Sequence, residues 1–436
     1  MKNKMWNKTL IKATLAITLF ALFIYNVKSQ EVEQNPIDTL TTSVQKLQSD
    51  FILLKKLKIY GYVQAQFQTA DSMGISSFAG GSFPINSDKR FMVRRGRLKA
   101  AYDNGLSLFV LQFDITEKGM GIKDAYMKIT EPWMKAVSLT TGVFDRPFGF
   151  EISYSSSSRE TPERTRLFQT IFPGERDLGA KITIQAPKTS KWNFLKIEGG
   201  LFNGTGGTAS DFDYKKDFIG NIGINKTTKN EKINYAVRAS YYNGGYRQPT
   251  KYIYNGFETL TNGNLGYSVD STSTNKGKIA KREYIGADAQ INIDFPFGLT
   301  SLRGEFIQGT QPGTSLTSAS PSDAPTTDTY IRKFNGAYFY FLQNIMQTKH
   351  QFVLKYDWYD PNTNVSGDEI GKSGSKLNNN DLKYTTIGIG WVYRWDTNVK
   401  ITAYYDFVKN ETSKNLAGYT KDLKDNVFTL RIQYKF

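Results

Sequence analysis

Basic residues recur at alternate positions along several short stretches of this 436-residue sequence. Arg95, Arg97 and Lys99 are spaced two apart, so on a β-strand their side chains share one face. The same parity puts Lys128, Lys181, Arg238, Arg303, Lys355 and Arg431 on the wetter face of their own stretches. Guanidinium and ammonium groups gathered on one wall draw anions, and the paired donors of arginine suit phosphate oxygens. Acids such as Asp114, Asp124 and Glu305 fall on the same faces, so most of these bases are expected to be paired. Arg95 and Arg97, backed by Lys99, are the ones expected to stay available to a solute.

A second concentration of charge lies between residues 144 and 176. Arg146, Arg159, Arg164, Arg166 and Arg176 are matched there by Asp145, Glu151, Glu160, Glu163 and Glu175. So even a balance departs from a simple anion trap. Catalytic chemistry finds little material. The chain has one histidine and no cysteine, and neither zinc spacing nor a phosphate-loop motif occurs. His350 is expected at a turn or interface, the protein is expected not to be an enzyme, and no cofactor or metal is implied. Acids and Asn crowd Asp360–Asp368 without a complete calcium-loop pattern.

The elements that must position these groups read as membrane strands. In Val427–Phe436 the apolar residues Phe428, Leu430, Ile432, Tyr434 and Phe436 alternate with Thr429, Arg431, Gln433 and Lys435. One face is greasy, the other wet and basic, over about the length of a tilted spanning strand. Sixteen such stretches are expected from Lys58 onward, the clearest internal one being Asn398–Phe407. The second, Phe91–Tyr102, should turn Met92, Leu98, Ala100 and Tyr102 outward. Upstream, Lys2, Lys4, Lys8 and Lys12 precede the apolar run Leu15–Tyr25, and Val27 and Ser29 precede Gln30. This is the pattern of an export signal over residues 1–29. Lys and Arg interrupt every later apolar run, which leaves a closed barrel as the membrane-crossing form. Lys and Arg outnumber Asp and Glu by 56 to 40. Because the chain is exported, that excess points to anionic solutes or lipid and not to nucleic acid.

Residues 30–57 hold Ile37, Leu40, Val44, Leu47, Phe51 and Leu54 at three-four spacing. This predicts a periplasmic helix, either a short coiled coil that helps assemble oligomers or an amphipathic helix against the barrel rim. Residues 58–436 would form the barrel. Connections alternate between short turns such as Asp103–Gly105 and long loops such as Thr69–Arg90, as periplasmic turns and outer loops do. Asn255–Gly256 and Asn262–Gly263 read as parts of a flexible outer loop. The loop 144–176, third on the outer side, is the one expected to fold inward and narrow the lumen.

Several fragments carry a family resemblance in a shared order. These are Gly61–Tyr62–Val63–Gln64, Arg94–Arg95–Gly96–Arg97, Asp124–Ala125–Tyr126, Arg146–Pro147–Phe148–Gly149–Phe150–Glu151, and the Pro173–Gly174–Glu175–Arg176–Asp177 junction. Lys355–Tyr356–Asp357 followed by Asp360–Pro361–Asn362 completes the set. The chain resembles the phosphate-selective porin O/P family. The resemblance implies a sixteen-stranded, all-β outer-membrane porin of a Gram-negative cell, a homotrimer with pore-lining Arg and Lys. The expected function is passive diffusion of small solutes with a preference for anions, phosphate among them. A channel for saccharides and a structural or adhesive barrel without transport are the alternatives. Expected partners are small anionic solutes, outer-membrane lipid and lipopolysaccharide, and the barrel-assembly machinery acting through the C-terminal strand.

Overall fold

The computed structural model describes residues 36–436. The export signal expected over 1–29 lies outside the described residues. A helix, α1 (Pro36–Lys56), precedes the strands. Its stripe residues Leu40, Val44, Leu47, Phe51 and Leu54 are all exposed in the single chain.

The strands are β1 (Leu57–Ala70), β2 (Lys89–Asp103), β3 (Ser107–Thr116), β4 (Gly119–Thr130), β5 (Val137–Asp145), β6 (Arg176–Gln185), β7 (Leu195–Phe202), β8 (Asp217–Thr227) and β9 (Ile233–Arg247). They continue as β10 (Ile253–Thr259), β11 (Leu265–Asp270), β12 (Ile279–Phe295), β13 (Gly298–Gly313), β14 (Thr329–Asn344), β15 (His350–Asp360), β16 (Tyr384–Arg394), β17 (Val399–Asn410) and β18 (Val427–Lys435). Each barrel strand pairs antiparallel with its chain neighbour, β9 pairs with β12, and β18 closes on β1. The result is a sixteen-stranded antiparallel barrel, with β10 and β11 as an added hairpin. Closure runs from Tyr62 opposite Lys435 to Ala70 opposite Val427, so no edge is left to meet lipid with unpaired backbone groups.

Alternation decides which side chains face out. In β18, Val427, Thr429, Arg431 and Gln433 are buried inside the barrel, whereas Leu430, Ile432 and Tyr434 are exposed on the outer wall. Such a wall of apolar side chains on a closed barrel is that of a Gram-negative outer-membrane protein. Trp133, Trp192 and Trp395 stand exposed at the short-turn end, where an aromatic girdle is expected. His350 sits at that end too, accepting a hydrogen bond from the Trp391 indole at 3.1 Å and stacking on Tyr393. The opposite end carries the long connections, with one two-residue exception between β3 and β4. In barrels of this kind the long-loop end faces outward.

Two features depart from expectation. Residues 248–278 are not a plain loop: β10 and β11 form a hairpin that reaches across to β14, pairing Ile253 with Thr329 in parallel. Tyr267 of that hairpin joins Tyr330, Val365, Ile370, Leu377 and Leu382 in a second small core among the long loops. The other departure is in β2, where a bulge falls between its pairings Gln64 with Arg95 and Ala65 with Val93. The extra residue reverses the inside–outside parity beyond it. Met92, expected to face out, therefore faces in, where the Gln66 amide donates to its sulfur.

Candidate solute passage

The chain between β5 and β6 packs against inward-facing residues of the strands. Its one regular element is a six-residue helix, α2 (Arg166–Ile171). At the start, Arg146 pairs with Asp177 at 3.1 Å. Gly149 takes a left-handed conformation (φ +61°), and a Cβ there would run into the Glu305 carboxylate; only glycine fits both demands. Glu305 on β13 accepts the backbone N–H groups of Phe150 and Glu151 at 3.1 and 3.2 Å and the Tyr338 hydroxyl at 2.8 Å. Arg238 on β9 donates to the Gly149 carbonyl. Glu151 in turn accepts from the Thr165 hydroxyl at 2.7 Å, joining the two arms of the loop.

One side of the loop is apolar. Phe148, Ile152, Leu167, Phe168, Ile171 and Phe172 are buried against inward residues of the strands, among them Ile219, Tyr242, Tyr284, Ile307, Phe334 and Tyr338. This fills the part of the lumen bounded by β8, β9 and β12 to β14.

The other side is charged. Glu163 receives Arg95 at 2.6 Å, Arg431 at 2.8 Å and Arg94 at 2.9 Å. Burial alone would raise its carboxyl, but Arg94, Arg95 and Arg431 hold it well below the usual carboxylate range. Glu175 pairs with Arg164, with Lys123 at 2.8 Å and with Arg176 at 3.0 Å. Arg176 also meets Asp124 at 2.8 Å, and Arg97 meets Asp114 at 3.3 Å. Arg94 and Lys123 were not among the residues expected to line the lumen. Each is the extra residue of a bulge, Arg94 in β2 and Lys123 in β4. A bulge brings two neighbouring side chains to one face. The sequence held a signal for both: Arg94–Arg95 and Lys123–Asp124 are adjacent charges inside spanning strands. Strict alternation would have pushed one charge of each pair into lipid at a cost of about 2–4 kcal/mol.

Most of the other expected pore-lining bases are also paired. Lys181 meets Glu198 at 2.9 Å, Arg303 meets Glu160 at 3.0 Å, and Lys355 meets Asp357 at 2.9 Å. Arg238 lies 3.8 Å from Asp288. Arg159 donates to the carbonyls of Thr161 and Pro162. The expectation that Arg95 and Arg97 stay free is thus corrected, because loop and wall acids reach both. Within the trio it is Lys99 that has no carboxylate among the described residues, its ammonium lying 5.6 Å from the Tyr60 ring. Lys128 likewise has no ion pair among the described residues. Arg166 makes no ion pair and donates to no carbonyl among the described residues, although Asp425 and Asp357 act on it from farther off; its guanidinium lies 4.3 Å from the Phe78 ring and 3.5 Å from the Tyr384 ring.

Three cavities share lining residues along the charged side. A vestibule of about 540 Å³ opens among the long loops, lined in part by Phe78, Arg166, Gln169, Tyr384 and Asp425. A neck of about 30 Å³, room for a water or two, shares Phe78, Arg166 and Asp425 with it and also touches Lys355 and Asp406. A chamber of about 260 Å³ shares Glu163 and Arg164 with the neck and Gln169 with the vestibule. Arg94, Arg95, Arg97, Lys123 and Arg164 line the chamber against Asp114, Glu163 and Glu175. The Nε of Arg97 is buried there without an acceptor.

No family model matches the chain, and no curated protein matches it by sequence. Solved structures do share the fold. An anion-selective porin from Comamonas acidovorans aligns at 12% identity with a TM-score of 0.51, over 87% of this chain and 99% of the porin. The outer-membrane channel DcaP of Acinetobacter baumannii aligns at 12% identity and TM-score 0.51, over 87% of this chain and 97% of the channel. At such identity the likeness is one of fold: this chain is a sixteen-stranded outer-membrane β-barrel, the architecture these two proteins share.

Proposed function

We propose that the protein is a porin for passive diffusion of small solutes, with a preference for anions. The charge of the 260 Å³ chamber carries this reading. Five basic side chains face three carboxylates in a space walled by low-dielectric protein, where a positive excess is felt strongly by an entering ion. The buried, unsatisfied Nε of Arg97 offers an anion a donor that no protein atom uses. Phosphate is the finer candidate, supported by the arginine fork and by the resemblance to phosphate-selective porins. The exposed apolar stripe of α1 supports assembly of three copies through a short periplasmic coiled coil. Outer-membrane lipid and lipopolysaccharide would surround the wall. The barrel-assembly machinery would insert the barrel through β18.

The narrow neck favours one alternative, a structural barrel that does not conduct. Reversal potentials of purified protein in a planar bilayer under a chloride gradient separate the two. An anion-selective conductance that falls as phosphate is added supports the full reading. Anion selectivity without that fall leaves a general anion porin, cation selectivity sinks the charge argument, and no conductance from folded protein returns the structural reading.

A further inference from the structure

Arg166 stands apart from the other arginines of the inward loop. Arg146, Arg164 and Arg176 each hold a carboxylate, and Arg159 holds two carbonyls. Arg166 is bonded to neither among the described residues, with Asp425 and Asp357 as its more distant acids, and its guanidinium rests against the rings of Phe78 and Tyr384. Aromatic faces stabilise the cation and fix its plane. The N–H edge of the fork remains for a ligand in the vestibule. Asp425, buried on the same wall, also leaves its Oδ1 without a partner.

The vestibule itself is much larger than an inorganic ion needs. Around Arg166 it presents the amide oxygens of Gln169, Asn379 and Asn380, whose NH2 groups already donate within the protein, and rings from Tyr359 and Tyr419. Amides suit hydroxyl groups, rings suit the apolar face of a sugar, and a volume of about 540 Å³ falls in the range of small-molecule sites. A carboxylate offers two coplanar oxygens that match the paired donors of the fork. A tetrahedral phosphate would project oxygens toward the rings.

We propose that the vestibule is a binding site for acidic saccharides, sugar rings bearing a carboxylate, with Arg166 taking the carboxylate edge-on and the amides and tyrosines taking the ring. The proposal rests on the porin reading and names a solute class for it.

Titration calorimetry of the full barrel in detergent tests it, with galacturonate, galactose, acetate and inorganic phosphate as probes. Galacturonate is expected to bind at least about tenfold tighter than galactose, acetate or phosphate, the effect of one added charge-assisted contact. Arg166→Gln should bring galacturonate to the level of galactose, while heat-modifiable migration shows the variant barrel folded. Arg166→Lys should not restore the difference, since an ammonium has no planar fork. Galacturonate no tighter than acetate or galactose would overturn the proposal, as would phosphate binding equally well or Arg166→Gln changing nothing. Because binding is read without conductance, the two readings fail separately. A conducting pore with no galacturonate binding loses the saccharide site alone, and binding in a barrel that does not conduct loses the porin reading alone.

Discussion

The two sides of the inward loop solve the problem of burial in opposite ways. Toward β8, β9 and β12 to β14, Phe148, Phe168 and Phe172 meet tyrosines and aliphatic residues in a closed aromatic core. Toward β1, β2, β4 and β18 the contacts are ionic and polar, through Glu163 and Glu175 and through hydrogen bonds to Ser156 and Ser157. Apolar packing excludes water and seals, whereas buried charges need partners in fixed positions and leave wet space between them. The sealed side therefore anchors the loop, and the charged side leaves the chamber and the neck.

That contrast can be broken from either side. Glu163→Ala has the largest expected effect, because it leaves Arg94, Arg95 and Arg431 short of their shared acceptor. Breaking a buried pair costs about 3–5 kcal/mol, so the heat-modification midpoint should fall. Reversal potentials should shift toward anions at the same time. An unchanged selectivity would remove the chamber from the conduction path. Phe168→Ala also removes buried contacts, at about 3–5 kcal/mol, yet it should lower the same midpoint with no change in selectivity. If ion preference moved as well, the aromatic side would not be a seal alone.

The smallest effect is expected from pH. Burial pushes the Asp425 carboxyl up to about 6, with Arg166 opposing and Asp422 and Asp71 adding to the rise. The neck also presents Glu163, Arg164, Lys355, Asp357 and Asp406 to this group. Below that value Asp425 is neutral and Arg166 is less opposed, so anion preference should rise between pH 7 and pH 5. Asp425→Asn should hold the acid value throughout, and a pH step that survives in the variant would assign it to another group. The stability sign follows the same raised carboxyl. The contribution of Asp425 is full below its ordinary range and is lost as pH rises through about 6.

The barrel was legible because period-two alternation reports burial directly. Each of the sixteen expected stretches overlaps an observed barrel strand. The added hairpin was missed because its turn residues resemble those of any loop; what orders it is Tyr254 stacked on Tyr330, far away in sequence. Strict alternation carried through the two bulges puts Met92 on the outer face and keeps Arg94 and Lys123 off the lumen, and both bulges reverse that.

By itself the sequence determined the strand count, the faces of most side chains and the nearly balanced charge of the inward loop. These are local properties, set by residue type and spacing. Which base meets which acid was decided only in the tertiary structure, since the partners of Glu163 come from β2 and β18 at opposite ends of the chain. Arg166 is the clearest case. Nothing in its neighbourhood along the chain separates it from Arg164. One points at Glu175 and the other into the vestibule, because the loop is pinned between an aromatic wall and a charged one.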